Sequence, residues 1–129
     1  MSRAWTASVS PKIEARLKEQ LHARHIRVHG STTIRARAYL EKNGSLKKLR
    51  IEPDEVQSDL SKAGLAKLEE ALLVAIKESA PLPFSSVRNS RLPHLGFVVI
   101  YETKPEKLEA GITMPEDHPD VQSNKLRRP

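Results

Sequence analysis

Ser31-Thr32-Thr33-Ile34-Arg35-Ala36-Arg37-Ala38-Tyr39-Leu40-Glu41-Lys42-Asn43-Gly44-Ser45-Leu46-Lys47-Lys48-Leu49-Arg50-Ile51 is the stretch that decides the fold. Thr32, Ile34, Ala36, Ala38 and Leu40 share one side, and Ser31, Thr33, Arg35, Arg37 and Tyr39 the other. A period of two belongs to a strand with one buried face. Asn43-Gly44 predicts a type I′ turn, because both residues tolerate the positive φ it requires. Leu46 to Ile51 returns as a second strand, apolar at Leu49 and Ile51, and Pro53 stops it for want of an N–H. The result is a β-hairpin with Arg35, Arg37, Lys48 and Arg50 on its outer face.

Upstream, Ser10-Pro11 reads as an N-cap followed by proline at the first helical position. Ile13, Leu17 and Leu21 then recur every fourth residue, a narrow apolar stripe on a polar helix that ends near Arg24-His25. Downstream, Glu52 to Gly64 is an acidic connector. Leu65, Leu68, Leu72 and Ile76, with Ala71 and Ala75, trace a broad helix face that must stop before Pro81. Phe84 is expected to anchor the core, and Gly96-Phe97-Val98-Val99-Ile100-Tyr101-Glu102-Thr103 reads as the best strand in the chain. After Lys104, prolines and charges dominate, which predicts disorder.

These elements predict an α+β fold. A small antiparallel sheet, built from the hairpin plus a C-terminal strand, is covered by one main helix and joined by an N-terminal amphipathic helix. The expected boundaries are a flexible arm over 1–9 that holds Trp5, a domain over 10–103 and a mostly disordered tail over 104–129.

Composition sets limits on the chemistry. The 129 residues carry 22 Lys+Arg against 16 Asp+Glu, a formal net charge of +6, and no Cys. Without Cys there is no disulfide, thiol nucleophile or thiolate metal site. Apolar runs such as Phe97 to Tyr101 are far short of the roughly 20 residues of a spanning helix. Residues 1–60 hold 12 Lys/Arg against 7 Asp/Glu. This basic half suits an acidic partner or nucleic acid, or serves solubility alone.

The segment Thr32 to Phe84 resembles the C-terminal domain of the TonB/TolA superfamily. The resemblance rests on the alternating strand at Ile34, Ala36 and Ala38 and on the Lys42-Asn43-Gly44-Ser45-Leu46 turn. It rests further on the helix Leu65-Ala66-Lys67-Leu68-Glu69-Glu70-Ala71-Leu72 and on the Ala80-Pro81-Leu82-Pro83-Phe84 exit. Gly96 to Thr103 matches the family's final strand. The sequence departs from the family where a Tyr-Pro commonly precedes the first strand, which here reads Arg24-His25-Ile26-Arg27. The membrane anchor and Pro-rich spacer of a transducer do not appear in it either.

The resemblance implies a non-enzymatic protein–protein interaction domain whose final strand lies at the sheet edge and pairs with an extended partner. The partner-binding residues would be Phe97, Val98, Val99, Ile100, Tyr101, Glu102 and Thr103, helped by Arg35 and Arg37. The partner would be a protein or peptide, including a segment of a membrane protein, or a second copy forming a homodimer. The amino-terminal residues suggest the cytoplasm, whereas the resemblance implies energy transduction and transport in the periplasm for an anchored or excised domain.

The alternative is a small basic nucleic-acid-binding protein that uses Arg35, Arg37, Lys48 and Arg50, with Tyr39 as the one nearby aromatic. Sheet readers of single strands stack bases on several aromatics, so the 4% aromatic content weighs against this. His22 and His25 fall three apart, on one helix face, with His29 beyond. They lack the further ligand and supporting carboxylate of a zinc centre. Ser85, Ser86, Ser90 and His94 share a loop without the surroundings of a nucleophile. No catalytic residue, metal or cofactor is expected.

Overall fold

In the computed structural model, which describes residues 3–83 and 94–113, the chain runs α1 (Arg3–Ala23), β1 (Thr32–Glu41), β2 (Leu46–Ile51), a 3-10 turn (Pro53–Glu55), β3 (Gln57–Ser58), α2 (Lys62–Ser79), β4 (His94–Thr103) and β5 (Glu106–Ile112). The fold is α+β. The strands form one antiparallel sheet in the order β2-β1-β4-β5, with β3 paired to the first residues of β1. The hairpin follows its alternation: Ala36 faces Ile51, Ala38 faces Leu49 and Tyr39 faces Lys48, and a bulge separates this run from the Leu40–Leu46 pair.

Its turn differs from the expected type I′. Only Gly44 takes a positive φ (92°), and Asn43 does not. Asn43 acts through its side chain, whose Oδ1 accepts from the Ser45 N–H at 3.0 Å and from the Ser45 hydroxyl at 2.7 Å. Asx geometry replaces the second left-handed residue.

The apolar side of the sheet carries Ile34, Ala36, Ala38 and Leu40 from β1, Leu95, Phe97, Val99 and Tyr101 from β4, and Leu108 and Ala110 from β5, all buried. Both helices cover this side. Leu68, Leu72, Ala75 and Ile76 come from α2, whose N-cap Ser61 accepts from the Gly64 N–H at 3.1 Å.

α1 begins eight residues earlier than the Ser-Pro signal predicts, at Arg3, and Pro11 lies inside it. Trp5 and Val9 continue the stripe of Ile13 and Leu17 backwards at the same spacing of four, and all four are buried. Trp5 therefore does not belong to a flexible arm. Its ring meets Phe97 edge-on at 5.3 Å, and its Nε1–H donates to the Pro83 carbonyl at 2.7 Å. An interior proline costs about 3 kcal/mol. Full burial of two large apolar side chains contributes at least as much, at about 1.5–3 kcal/mol each.

The end of α1 also corrects the histidine reading. Ile26 N–H donates to the Leu21 carbonyl and His25 N–H to the His22 carbonyl, with His25 at φ 56°. This is a Schellman close, with His25 at the left-handed position usually held by glycine. His22 and His25 thus do not share a helix face.

A second boundary moves at the other end. Residues 106–112, assigned to a disordered tail by composition, form β5, paired with β4 from Phe97–Ile112 to Thr103–Glu106. The packed unit among the described residues extends from Arg3 to Thr113, wider than 10–103. Phe84, Ser85, Ser86, Ser90 and the tail beyond 113 lie outside the described residues.

Candidate functional site

β4 cannot be the docking edge that the sequence suggests. From Thr33–Glu102 to Glu41–His94 it pairs with β1, and along its other side it pairs with β5. Phe97, Val99 and Tyr101 point into the core, whereas Val98, Ile100 and Glu102 point to the face without helices. Thr103 closes the end of the sheet: its hydroxyl donates to the Gly30 carbonyl and accepts from the Thr32 N–H, both at 2.9 Å. With β4 in the middle, the rims of the sheet are β5 and β2.

The β5 rim is guarded. Thr113 N–H points inward to the Gly96 carbonyl at 2.9 Å, so by alternation the N–H groups of Leu108, Ala110 and Ile112 point outward. The Ala110 N–H meets the Ser10 hydroxyl of α1 at 2.9 Å. The serine expected to cap a helix instead blocks a strand edge, a recognised way to keep other chains from pairing.

The β2 rim is open. Glu52 N–H donates to the Arg35 carbonyl and Glu41 N–H to the Ser45 carbonyl, both at 2.8 Å, which fixes the phase of the ladder. Arg50 and Lys48 therefore bond inward to β1, while Leu49 and Ile51 turn their N–H and C=O away from the sheet. No partner meets those groups among the described residues.

A groove runs beside this rim, lined by Leu46, Lys47, Lys48 and Leu49 from β2 and by Lys77 and Ala80 from the end of α2. Its floor is apolar and half-buried at Leu46 and Leu49, and its lysines are exposed. The i, i+4 spacing of a helix puts half-buried Leu73 on the same flank of α2 as Lys77, with Glu69 one turn further back. Burial raises the Glu69 carboxyl above its usual range. The groove is thus basic beside the hairpin turn. Leu82 N–H bonds the Gly44 carbonyl at 2.8 Å and ties the exit of α2 to that turn.

Arg35 and Arg37 lie on the helix-free face, as their alternation predicts, but their charge is engaged. Glu52 continues β2 by one position, opposite Arg35. Its two carboxylate oxygens meet Arg35 Nε at 2.8 Å and Arg37 Nε at 2.9 Å. The Arg37 contact is an aligned hydrogen bond, whereas the Arg35 Nε–H points off the carboxylate, so that approach is Coulombic. Composition places Glu52 in an acidic connector; the Lys48, Arg50, Glu52 alternation is the signal that puts it on this face. Tyr39 and His94 add an edge-on ring pair at 6.4 Å. Across the register Arg50 stands opposite Arg37 and Lys48 opposite Tyr39.

No cluster of three or more His, Asp or Glu positioned to hold a metal occurs among the described residues, and no described helix is long and apolar enough to cross a membrane. Comparison with known protein families, with curated proteins and with solved structures finds no match.

Proposed function

We propose that this chain is a non-enzymatic binding module that takes up an extended segment of another protein as an added strand along β2. The observation that carries the reading is the outward backbone of Leu49 and Ile51, unpaired among the described residues and running beside a half-apolar groove. In strand addition, main-chain hydrogen bonds supply affinity and alternate side-chain pockets supply selectivity. β2 offers both, whereas β5 offers an edge that Ser10 already occupies. The TonB/TolA resemblance supports the same class of function, with the docking strand moved from Phe97–Thr103 to Leu46–Ile51.

The nucleic-acid alternative is weaker on this geometry. Two of its four cations, Arg35 and Arg37, share the Glu52 carboxylate, so a phosphate would compete with an ion pair inside the fold. Sheet-face readers also need several stacking aromatics.

Selection from a displayed library of random twelve-residue peptides, followed by amide hydrogen exchange on the bound protein, tests the proposal. Bound peptides are expected to slow exchange at Leu49 and Ile51, which are open in the free chain, and to leave Lys48 and Arg50 unchanged. Peptides that protect β5 or the helix-free face instead, or a selection that returns no binder, overturn it.

A further inference from the structure

We infer that the segment taken up by β2 is acidic at the end that lies against the hairpin turn and apolar where it crosses Leu46 and Leu49. This rests on the reading of β2 as a docking strand and adds the chemistry of what docks. Two exposed ammonium groups, Lys47 of β2 and Lys77 of α2, meet at the end of the groove beside the hairpin turn, and exposed Lys48 borders it from the helix-free face. None of them forms an ion pair within 4.0 Å among the described residues.

The convergence follows from local structure. The bulge between the Tyr39–Lys48 and Leu40–Leu46 pairs gives Lys47 an extra position on the rim. Lys77 occupies the last turn of α2, where a cation also suits the helix dipole. The positive charge gathers at the end of the groove beside the hairpin turn, so a strand lying in it is oriented by charge as well as by hydrogen bonds.

The same lysines argue against a second copy as occupant. Two β2 strands pairing about a two-fold axis would set Lys47, Lys48 and Arg50 of one against those of the other, and like charges placed opposite are destabilising. Lysine on an exposed edge commonly acts as such a guard. Here it also selects, because a carboxylate-bearing strand removes the repulsion that a basic or identical strand meets.

The test uses peptides recovered by the displayed-library selection, resynthesised with a fluorescent label in two forms. One keeps its aspartates and glutamates, and the other carries asparagine and glutamine in their place. The full chain is expected to bind the acidic form at least about tenfold more tightly at low salt, with the ratio falling towards one at roughly 0.5 M salt as charges are screened. The double variant Lys47→Glu/Lys77→Glu changes two exposed side chains. It is expected to keep the wild-type circular dichroism spectrum and to prefer a peptide with lysines at the acidic positions.

Binding of the two forms within twofold, with Leu49 and Ile51 still protected, overturns the acidic specificity and leaves strand addition standing. Loss of protection at Leu49 and Ile51 with either form overturns both readings. A homodimer that protects those two amides in the absence of peptide also overturns the inference.

Discussion

Gly44 is the residue with the least room for change. At φ 92° it occupies backbone that side chains rarely adopt, and a Cβ there would stand 2.7 Å from the Leu82 carbonyl oxygen and 2.9 Å from Pro81 Cβ. Strain and overpacking act together, so Gly44→Ala is expected to destabilise the fold by about 3 kcal/mol in urea unfolding. Tyr101 makes a different prediction, through pH. Burial first, and then the Glu106 carboxylate that accepts its hydroxyl at 3.3 Å, raise its ionisation well above the usual value near 10. Because the folded state resists losing this proton, the stabilisation is intact below about pH 10 and falls as pH rises past it, by up to about 1.4 kcal/mol per pH unit. Urea unfolding between about pH 9 and 11 is expected to show a steeper decline in the wild type than in Tyr101→Phe.

Among the elements, the hairpin and α2 are legible because each has a dominant period, two in Thr32 to Leu40 and 3.6 in Leu65 to Ile76. α1 is only half legible. The same spacing of four runs from Trp5 to Leu17, but a local punctuation mark, Ser10-Pro11, reads as a start, and only tertiary burial outweighs it. Trp5→Ala is therefore expected to cost about 3–5 kcal/mol in thermal or chemical unfolding, whereas a residue of a flexible arm would cost nothing measurable. β5 is lost for the opposite reason. Leu108, Ala110 and Ile112 alternate correctly, yet prolines and charges around them dominate the composition, and pairing with β4 supplies what three modest side chains cannot. The candidate site inherits that error: with β5 unread, β4 looked like an edge. The groove is illegible in sequence, since it needs a strand rim and a helix end that meet only in the fold.

Across the whole molecule, the sheet is asymmetric, with helices on one side, ion pairs and half-buried side chains on the other, one rim guarded and one open. A chain ending at Thr103 would lose β5 and bare the β4 backbone beside Val99 and Tyr101. It is expected to self-associate at micromolar concentration, visible as oligomers in sedimentation velocity, while the full chain does not associate through that rim. Replacing both Arg35 and Arg37 by alanine is a poor test of nucleic-acid binding, because it strands Glu52 and weakens the sheet itself. The bond from Ser10 to Ala110 spans 100 positions of the chain. Among the described elements, the first in chain order is thus completed by the last, and until β5 is in place α1 lacks part of the surface against which it packs. Folding of this unit is therefore expected to commit late, once residues some hundred positions apart have met, because such distant contacts form slowly.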